Sequence, residues 1–185
     1  MSSKKRGVVA VAIKLNGGCV KMQLPNGKVV DILTTVLEEI SGWLQTDATK
    51  PESGGYIIGY QHRDTGNIVL EGVSVPHELD IKNRVRFDIK DPNHSLFLQR
   101  ARRKKSYYMG VWHTHPQDIP IPSVIDWEDW KHTLAVDKTG CEYIFFFIAG
   151  TSGTRVWVGD KNKNIIMEIE EFPKKYELYE NKDLI

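Results

Sequence analysis

Apolar residues recur along this chain with two different periods, which predicts a protein that mixes strands with helices. Runs with a period near 3.6 predict helices at 32–44, 93–105 and 124–135. Short apolar or alternating runs bounded by turn residues are typical of strands, and they occur at 7–13, 20–24, 28–30, 56–60, 68–75, 85–87, 107–113, 141–149, 154–158 and 165–172. Helices that alternate unevenly with strands favour an α-β-α sandwich around a mixed, mainly antiparallel sheet.

Side chains that satisfy free backbone N–H groups are predicted at the start of each helix. Asp31 precedes the first helix, Asp91 with Pro92 precedes the second, and Ser123 precedes the third. Ser123 is followed three residues later by Asp126, which is also the pattern of a capping box. These two residues alone therefore indicate a helix cap.

Composition indicates one ordinary globular domain over residues 1–185, with the charged segment 173–185 as a short helix or a flexible tail. The chain is 41% hydrophobic and 26% charged, and no apolar run has the length of a membrane span. The two cysteines, Cys19 and Cys141, form no metal-binding or disulfide pattern. We expect a cytoplasmic protein that does not associate with membranes.

Charge gives one local signal. The net charge of +1 provides no global attraction for nucleic acid, but five cations lie close together at Arg100, Arg102, Arg103, Lys104 and Lys105. Cations complement the dipole in the last turn of a helix, so a solvated helix end and a patch for an acidic partner or nucleic acid remain equally open.

The most specific chemical signal lies at 113–126. His113 and His115 follow the apolar strand 107–113, and alternate residues of a strand face the same side, so both imidazoles can reach one ion. Three prolines stiffen the loop that leads to Asp126 in the first turn of the next helix. Two histidines and a carboxylate are a common ligand set for one catalytic zinc ion, with the fourth position left for water.

The remaining histidines and Trp112 are predicted to be structural. Trp112 should face away from the two ligands and lie in the core. No other histidine has a partner at ligand spacing, which favours surface or packing roles for His62, His77, His94 and His132.

This stretch resembles the signature of the JAMM metalloproteases, also called the MPN-plus or JAB-domain family. The matching residues are His113, Thr114, His115, Pro116, Ser123 and Asp126, with ten residues between the second histidine and the aspartate. The upstream glutamate of that family is best matched by Glu52, which precedes Gly54-Gly55 and an apolar strand. Glu71 is the nearest competitor for this position.

The resemblance implies a zinc isopeptidase or peptidase that cuts after the C-terminus of a ubiquitin-like protein. It implies one zinc ion held by His113, His115 and Asp126, Glu52 as general base and acid, and Ser123 as a donor to the developing oxyanion. Some of the small bacterial members that resemble this chain accompany E1- or E2-like conjugation enzymes in anti-phage operons. The alternatives are release of a small amine or cysteine from a sulfur-carrier protein, a non-catalytic scaffold, and a nucleic-acid-associated protein.

Overall fold

The computed structural model describes residues 12–16 and 18–169. Three helices lie in this range: α1 Thr34–Ser41, α2 Pro92–Arg103 and α3 Val124–Val136. The strands are β1 Ala12–Asn16, β2 Cys19–Gln23, β3 Val29–Leu33, β4 Gly54–Gln61, β5 Ile68–Val73, β6 Ile81–Asn83, β7 Arg86–Asp88, β8 Tyr107–Thr114, β9 Tyr143–Ala149, β10 Thr154–Asp160 and β11 Ile165–Ile169.

Nine of these strands form one sheet in the order β1-β2-β3-β5-β4-β8-β9-β10-β11, and β6 and β7 form a separate hairpin. The pairs β3–β5 and β8–β9 are parallel, and the other pairs are antiparallel. The predicted fold class, a mixed and mainly antiparallel sheet with flanking helices, is confirmed. β8 lies near the centre of the sheet, between β4 and β9.

Strand β9 divides the core into two layers. Every residue of β9 is buried, and its side chains alternate between the two faces of the sheet. Phe145 and Phe147 pack with Trp112 and the buried residues of α1, whereas Phe146 packs with Trp130 of α3. The helices α1 and α3 thus cover opposite faces, and the predicted core position of Trp112 is confirmed.

The predicted start of the first helix is wrong. β3 continues through Leu33, and α1 begins at Thr34 without a side-chain cap. Asp31 instead forms a cross-strand ion pair with Lys21 at 2.7 Å. Ile32 is fully buried and pairs with β2 and β5, so tertiary pairing outweighs the local helical period. By contrast, Asp91 does cap α2, where its side chain accepts from the N–H of Asn93.

A buried polar chain fixes the segment that precedes α2. The Ser74 hydroxyl accepts from the N–H of Tyr56 and is 2.7 Å from Nδ1 of His94. Nε2 of His94 is 2.9 Å from Oδ2 of Asp80, and all three side chains are buried. The Asp80 carboxylate only accepts, so Nε2–H donates to it, and in the neutral imidazole the Ser74 hydroxyl donates to Nδ1. His94 has a more specific packing role than its sequence context predicted.

Four predictions fall partly or wholly outside the described residues. The strand predicted at 7–13 overlaps β1 and the strand predicted at 165–172 overlaps β11, but residues 7–11 and 170–172 lie outside, as does the tail at 173–185. The single domain over 1–185 stays a prediction. None of the helices in the described part of the chain is both long and apolar enough to cross a membrane.

Candidate active site

Glu52, His113 and His115 are brought together by the pairing of two neighbouring strands. β4 and β8 run antiparallel with Gly54 opposite His113. Just beyond this pair, the N–H of Thr114 donates to the carbonyl of Ser53 at 2.8 Å, and Oε1 of the preceding residue, Glu52, is 3.3 Å from Nε2 of His115. Because His113 and His115 are two residues apart, their side chains leave the strand on the same side.

The start of α3 supplies Asp126. The N–H of Ser123 donates to Oδ2 of Asp126 at 2.6 Å, and the N–H of Asp126 donates to the Ser123 hydroxyl at 3.1 Å. Asp126 also lies 3.1 Å from Nε2 of His113 and 3.5 Å from Nε2 of His115. The predicted capping box is confirmed, and the same carboxylate faces both imidazoles. The cap uses the Ser123 hydroxyl as an acceptor, so it does not prevent that hydroxyl from donating.

The side-chain atoms of this cluster have the separations that a metal site requires. Nε2 of His113 and Nε2 of His115 are 3.1 Å apart, and Glu52 offers an oxygen within 4.8 Å of both. Ligands about 2.0–2.1 Å from a tetrahedral zinc ion are about 3.3 Å from one another. The contacts of 3.1–3.5 Å among the two imidazoles and Asp126 fit this edge length.

Burial and mutual charge alter the pKa values of this cluster. Burial raises the pKa of Glu52 to about 8, although His115 opposes the shift. Burial disfavours ionisation of Asp126, but hydrogen bonds from His113, His115 and the Ser123 N–H outweigh it and hold the pKa of Asp126 well below its usual range. Burial likewise opposes protonation of His115, yet Asp126 and Glu52 raise its pKa overall. A bound cation would itself favour ionised carboxylates.

Gln117 and Ala149 are neighbours of His115 outside the cluster. The side chain of Gln117 helps to raise the pKa of His115, and its Oε1 accepts from the N–H of Ile121 at 2.7 Å. The backbone N–H of His115 is held by the carbonyl of Ala149 at 3.0 Å. Such contacts fix the orientation of a ligating histidine.

The cluster lies at the floor of a cleft of about 730 Å³. One wall is the β6–β7 hairpin with residues 85–90, and the other is the loop 116–123 with the first turns of α3. His113, His115 and Asp126 are 12–14% exposed, whereas the side chain of Glu52 is 5% exposed. A substrate in the cleft would therefore meet the imidazoles and Asp126 first, with Glu52 beneath them.

The two glycines after Glu52 allow close approach of other parts of the fold. A Cβ at Gly54 would lie 2.7 Å from the Phe87 ring and from the carbonyl of Trp112, and one at Gly55 would lie 2.1 Å from the carbonyl of Ser74. The missing Cβ at Gly54 thus admits the ring of Phe87, a residue of the cleft wall.

All five predicted site residues lie together, and the competitor for the upstream glutamate does not. Glu71 lies on β5, two strands from β8, and is absent from the walls of the cleft. His132 is exposed, as the predicted surface role requires, and it also lines the cleft. The basic cluster at 100–105 is exposed apart from Ala101 and precedes β8 at the end remote from His113. The choice between its two predicted roles stays open.

Residues 34–160 match the family described as prokaryotic homologs of the JAB domain. The chain is 31% identical over 145 residues to a CD-NTase/cGAS isopeptidase of Escherichia coli (strain TW11681), covering 77% of this chain and 88% of that protein. It is 30% identical over 141 residues to a CD-NTase/cGAS isopeptidase of Vibrio cholerae, covering 75% of this chain and 85% of that protein.

A solved structure shows a similar fold. A protein from Desulfitobacterium hafniense, determined in solution, superposes with a TM-score of 0.51 at 21% sequence identity. The match covers 74% of this chain and 87% of that chain. This likeness concerns the arrangement of strands and helices.

Proposed function

This chain belongs to the prokaryotic homologs of the JAB domain, and on that premise we propose that it is a zinc-dependent isopeptidase. The main observation in support of this proposal is that His113, His115 and Asp126 converge from two separate elements. They lie beside the buried Glu52 at the floor of an open cleft. The relatives named as isopeptidases support a hydrolase that releases conjugated protein.

In this proposal His113, His115 and Asp126 hold one zinc ion per chain. Two imidazole nitrogens and a carboxylate are a ligand set of catalytic zinc, and three protein ligands leave one position for water or substrate. Zinc, when bound, supplies a Lewis acid that polarises the scissile carbonyl and makes water a stronger acid.

Glu52 carries the proton. Its Oε1 lies 3.3 Å from Nε2 of His115, so a water held at the cluster would lie within reach of its carboxyl. Burial raises its pKa in the metal-free protein, a bound cation would favour its ionised form, and an ionised carboxylate in this position can accept a proton and return it. Glu52 takes a proton from water and delivers it to the departing amine.

Ser123 stabilises the oxyanion. Its backbone is fixed by the capping box with Asp126, so its hydroxyl is held beside the carboxylate ligand at the cleft wall. Because the cap uses only a lone pair of this hydroxyl, the O–H remains a donor for negative charge that develops on the carbonyl oxygen.

The C-terminal segment of the conjugated protein binds along the β6–β7 hairpin. β7 pairs only with β6 among the described strands, and its three residues line the cleft. An extended peptide can add to such an edge through backbone hydrogen bonds. In the opposite wall of the cleft, Gln117 is the residue of the segment 117–119 that lines the cleft.

The names of the relatives favour a CD-NTase/cGAS protein as the conjugated partner. A ubiquitin-like protein is the alternative, in which the same cleft accepts a different C-terminus. We also propose that the protein acts with a conjugation enzyme of the E1 or E2 type, that it serves in anti-phage defence, and that it is located in the cytoplasm.

The test combines metal content with hydrolysis. Purified protein is analysed for zinc, and it is then offered a CD-NTase and a ubiquitin-like protein, each joined through its C-terminus to a lysine side chain. We expect one zinc per chain and release of the CD-NTase. Cleavage of the ubiquitin-like conjugate alone would identify the alternative partner. Absence of zinc under metal-replete conditions, with neither conjugate cleaved, would favour a scaffold.

A further inference from the structure

The residue between the two histidines is tied to the loop that carries Glu52. Thr114 is fully buried and points away from the cleft, since neighbouring residues of a strand face opposite sides. Its hydroxyl accepts from the N–H of Ser53 at 3.0 Å and donates to Oε1 of Gln45 at 3.1 Å. Its own N–H donates to the carbonyl of Ser53 at 2.8 Å. Thr114 therefore forms hydrogen bonds with both the N–H and the carbonyl of Ser53, the residue next to Glu52.

Gln45 extends this connection to the wall of the cleft. Its side chain is buried, and its amide nitrogen donates to the carbonyl of Arg84 at 2.9 Å and to that of Lys50 at 3.2 Å. Arg84 lies between β6 and β7. One side chain thus binds β8 through Thr114, the Glu52 loop through Lys50, and the hairpin through Arg84.

The loop that carries Glu52 needs such anchors because it has no regular structure. α1 ends at Ser41 and β4 begins at Gly54, so Glu52 lies outside both elements. Its own N–H donates to the carbonyl of Asn83 at 2.7 Å, which again joins it to the hairpin. A buried carboxyl on an irregular loop keeps one position only if neighbouring polar groups fix the backbone.

We propose that Thr114 and Gln45 are positioning residues that hold Glu52 at the metal cluster and couple its place to the β6–β7 hairpin. The proposal rests on the proposed function, in which Glu52 moves the proton. Neither side chain reaches the cleft, so both act through the loop at 50–53. Displacement of a catalytic group by about 1 Å lowers the rate by about 100-fold.

The test compares Thr114→Val with Thr114→Ser. Valine keeps the shape but leaves both Ser53 N–H and Gln45 Oε1 without the hydroxyl, whereas serine keeps the hydroxyl. We expect Thr114→Val to lower kcat by about 10- to 100-fold, with KM and zinc content unchanged and with faster amide hydrogen exchange across 50–53. Thr114→Ser should restore the wild-type kcat and exchange rate. Ser106→Ala, which removes another buried hydroxyl just before β8, should leave both unchanged.

Two outcomes would overturn the proposal: a wild-type kcat in Thr114→Val, or a loss of kcat that Thr114→Ser does not restore. If Thr114→Val fails to fold, Gln45→Met replaces it as the test variant. This substitution keeps the length of the side chain and removes its hydrogen bonds with Thr114, Lys50 and Arg84. A normal kcat in Gln45→Met would then reject the proposal. If the wild type hydrolyses nothing, the proposed function fails by itself, and equal exchange at 50–53 in the Val and Ser variants rejects the positioning role separately.

Discussion

Two regions of this molecule combine serine, histidine and carboxylate at similar distances but differ in what their atoms face. In the buried chain of Ser74, His94 and Asp80, the contacts are 2.7 and 2.9 Å, and each polar atom has its own partner. In the cleft, Nε2 of His113 and Nε2 of His115 are only 3.1 Å apart and share Asp126.

The difference shows that the arrangement of partners, more than residue type, separates a structural site from a chemical one. The buried chain is saturated: Ser74 donates to Nδ1 of His94, and Nε2–H of His94 donates to Asp80, with nothing left for a ligand. The cleft cluster directs two nitrogens at one point, where a cation would satisfy both together with the neighbouring carboxylates. It also borders open space, whereas His94 is 1% exposed.

The largest expected effect tests the cleft half of this comparison. His115→Ala leaves two of the three proposed ligands, so zinc and turnover should fall together below detection. Elemental analysis and hydrolysis on the same samples measure this. His132→Ala is the matched control, because His132 also lines the cleft but does not belong to the cluster; it should keep zinc. Stoichiometric zinc in His115→Ala would contradict the ligand assignment.

Glu52→Gln should separate metal binding from chemistry. The amide keeps the shape of the side chain but accepts no proton from water, so hydrolysis should fall by about 100- to 10,000-fold while zinc remains. Single-turnover kinetics with zinc analysis measure the two properties. Glu71→Gln on β5 should behave as wild type, and full activity in Glu52→Gln would transfer the base role to another group.

In the proposed function Ser123 joins a chemical role to its role as helix cap, and two variants separate them. Ser123→Ala and Ser123→Gly should both lower kcat by about 100-fold, because either removes the oxyanion donor. Alanine at an N-cap costs about 1 kcal/mol of stability, and glycine costs a few tenths. Equal rates with unequal melting temperatures are expected. Rates that follow the melting temperatures would show that the cap alone matters.

His94→Phe should affect stability and leave the metal unchanged. Phenylalanine fills the space but leaves the Ser74 hydroxyl and the Asp80 carboxylate without their buried partner, which costs about 3 kcal/mol of unfolding free energy. Urea denaturation measures it, and His62→Phe at an exposed position serves as the control. Loss of zinc from folded His94→Phe would erase the distinction between the two regions.

The smallest expected effect is the pH dependence that Asp80 contributes. Burial raises its pKa, but hydrogen bonds from the N–H groups of Asp91, His77 and Lys90 and from the His94 side chain outweigh it and lower the pKa to about 2. Since the folded pKa lies below the unfolded value of about 3.9, this contribution is present above pH 4 and is lost as the pH falls towards 2. It amounts to about 2 kcal/mol.

Denaturation of metal-free wild type and Asp80→Asn across pH 6 to 3 isolates this contribution. The stability difference between the two proteins should shrink as the pH falls, because the variant has no carboxylate to protonate. A constant difference over this range would mean that Asp80 has an ordinary pKa in the folded protein.

The sequence predicts which residues converge in the cleft better than it predicts the structure around them. His113, His115, Ser123 and Asp126 lie within fourteen residues, so strand alternation and one helix cap suffice to place them. Identifying Glu52 requires the family resemblance, because sixty residues separate it from His113 and only the pairing of β4 with β8 brings the two together.

Other features depend on contacts that no local pattern records. The first helix begins late because Asp31 and Ile32 pair across β3 with residues of other strands, and this pairing outweighs their helical period. The buried chain through His94 joins residues that are 14 and 20 positions apart. The hairpin within 76–90 and the role of Gln45 likewise depend on tertiary hydrogen bonds to distant residues.

The pairing of Gly54 with His113 determines where residues can be inserted without disturbing the cluster in the cleft. One residue inserted between Glu52 and Gly54 would displace Ser53 from its hydrogen bonds with Thr114 and move Glu52 away from His115, whereas insertions in the exposed turn at 62–65 leave the pairing of β4 with β8 intact. A grafting experiment on another antiparallel pair would therefore need two short segments in a fixed register, with the intervening sequence free to differ.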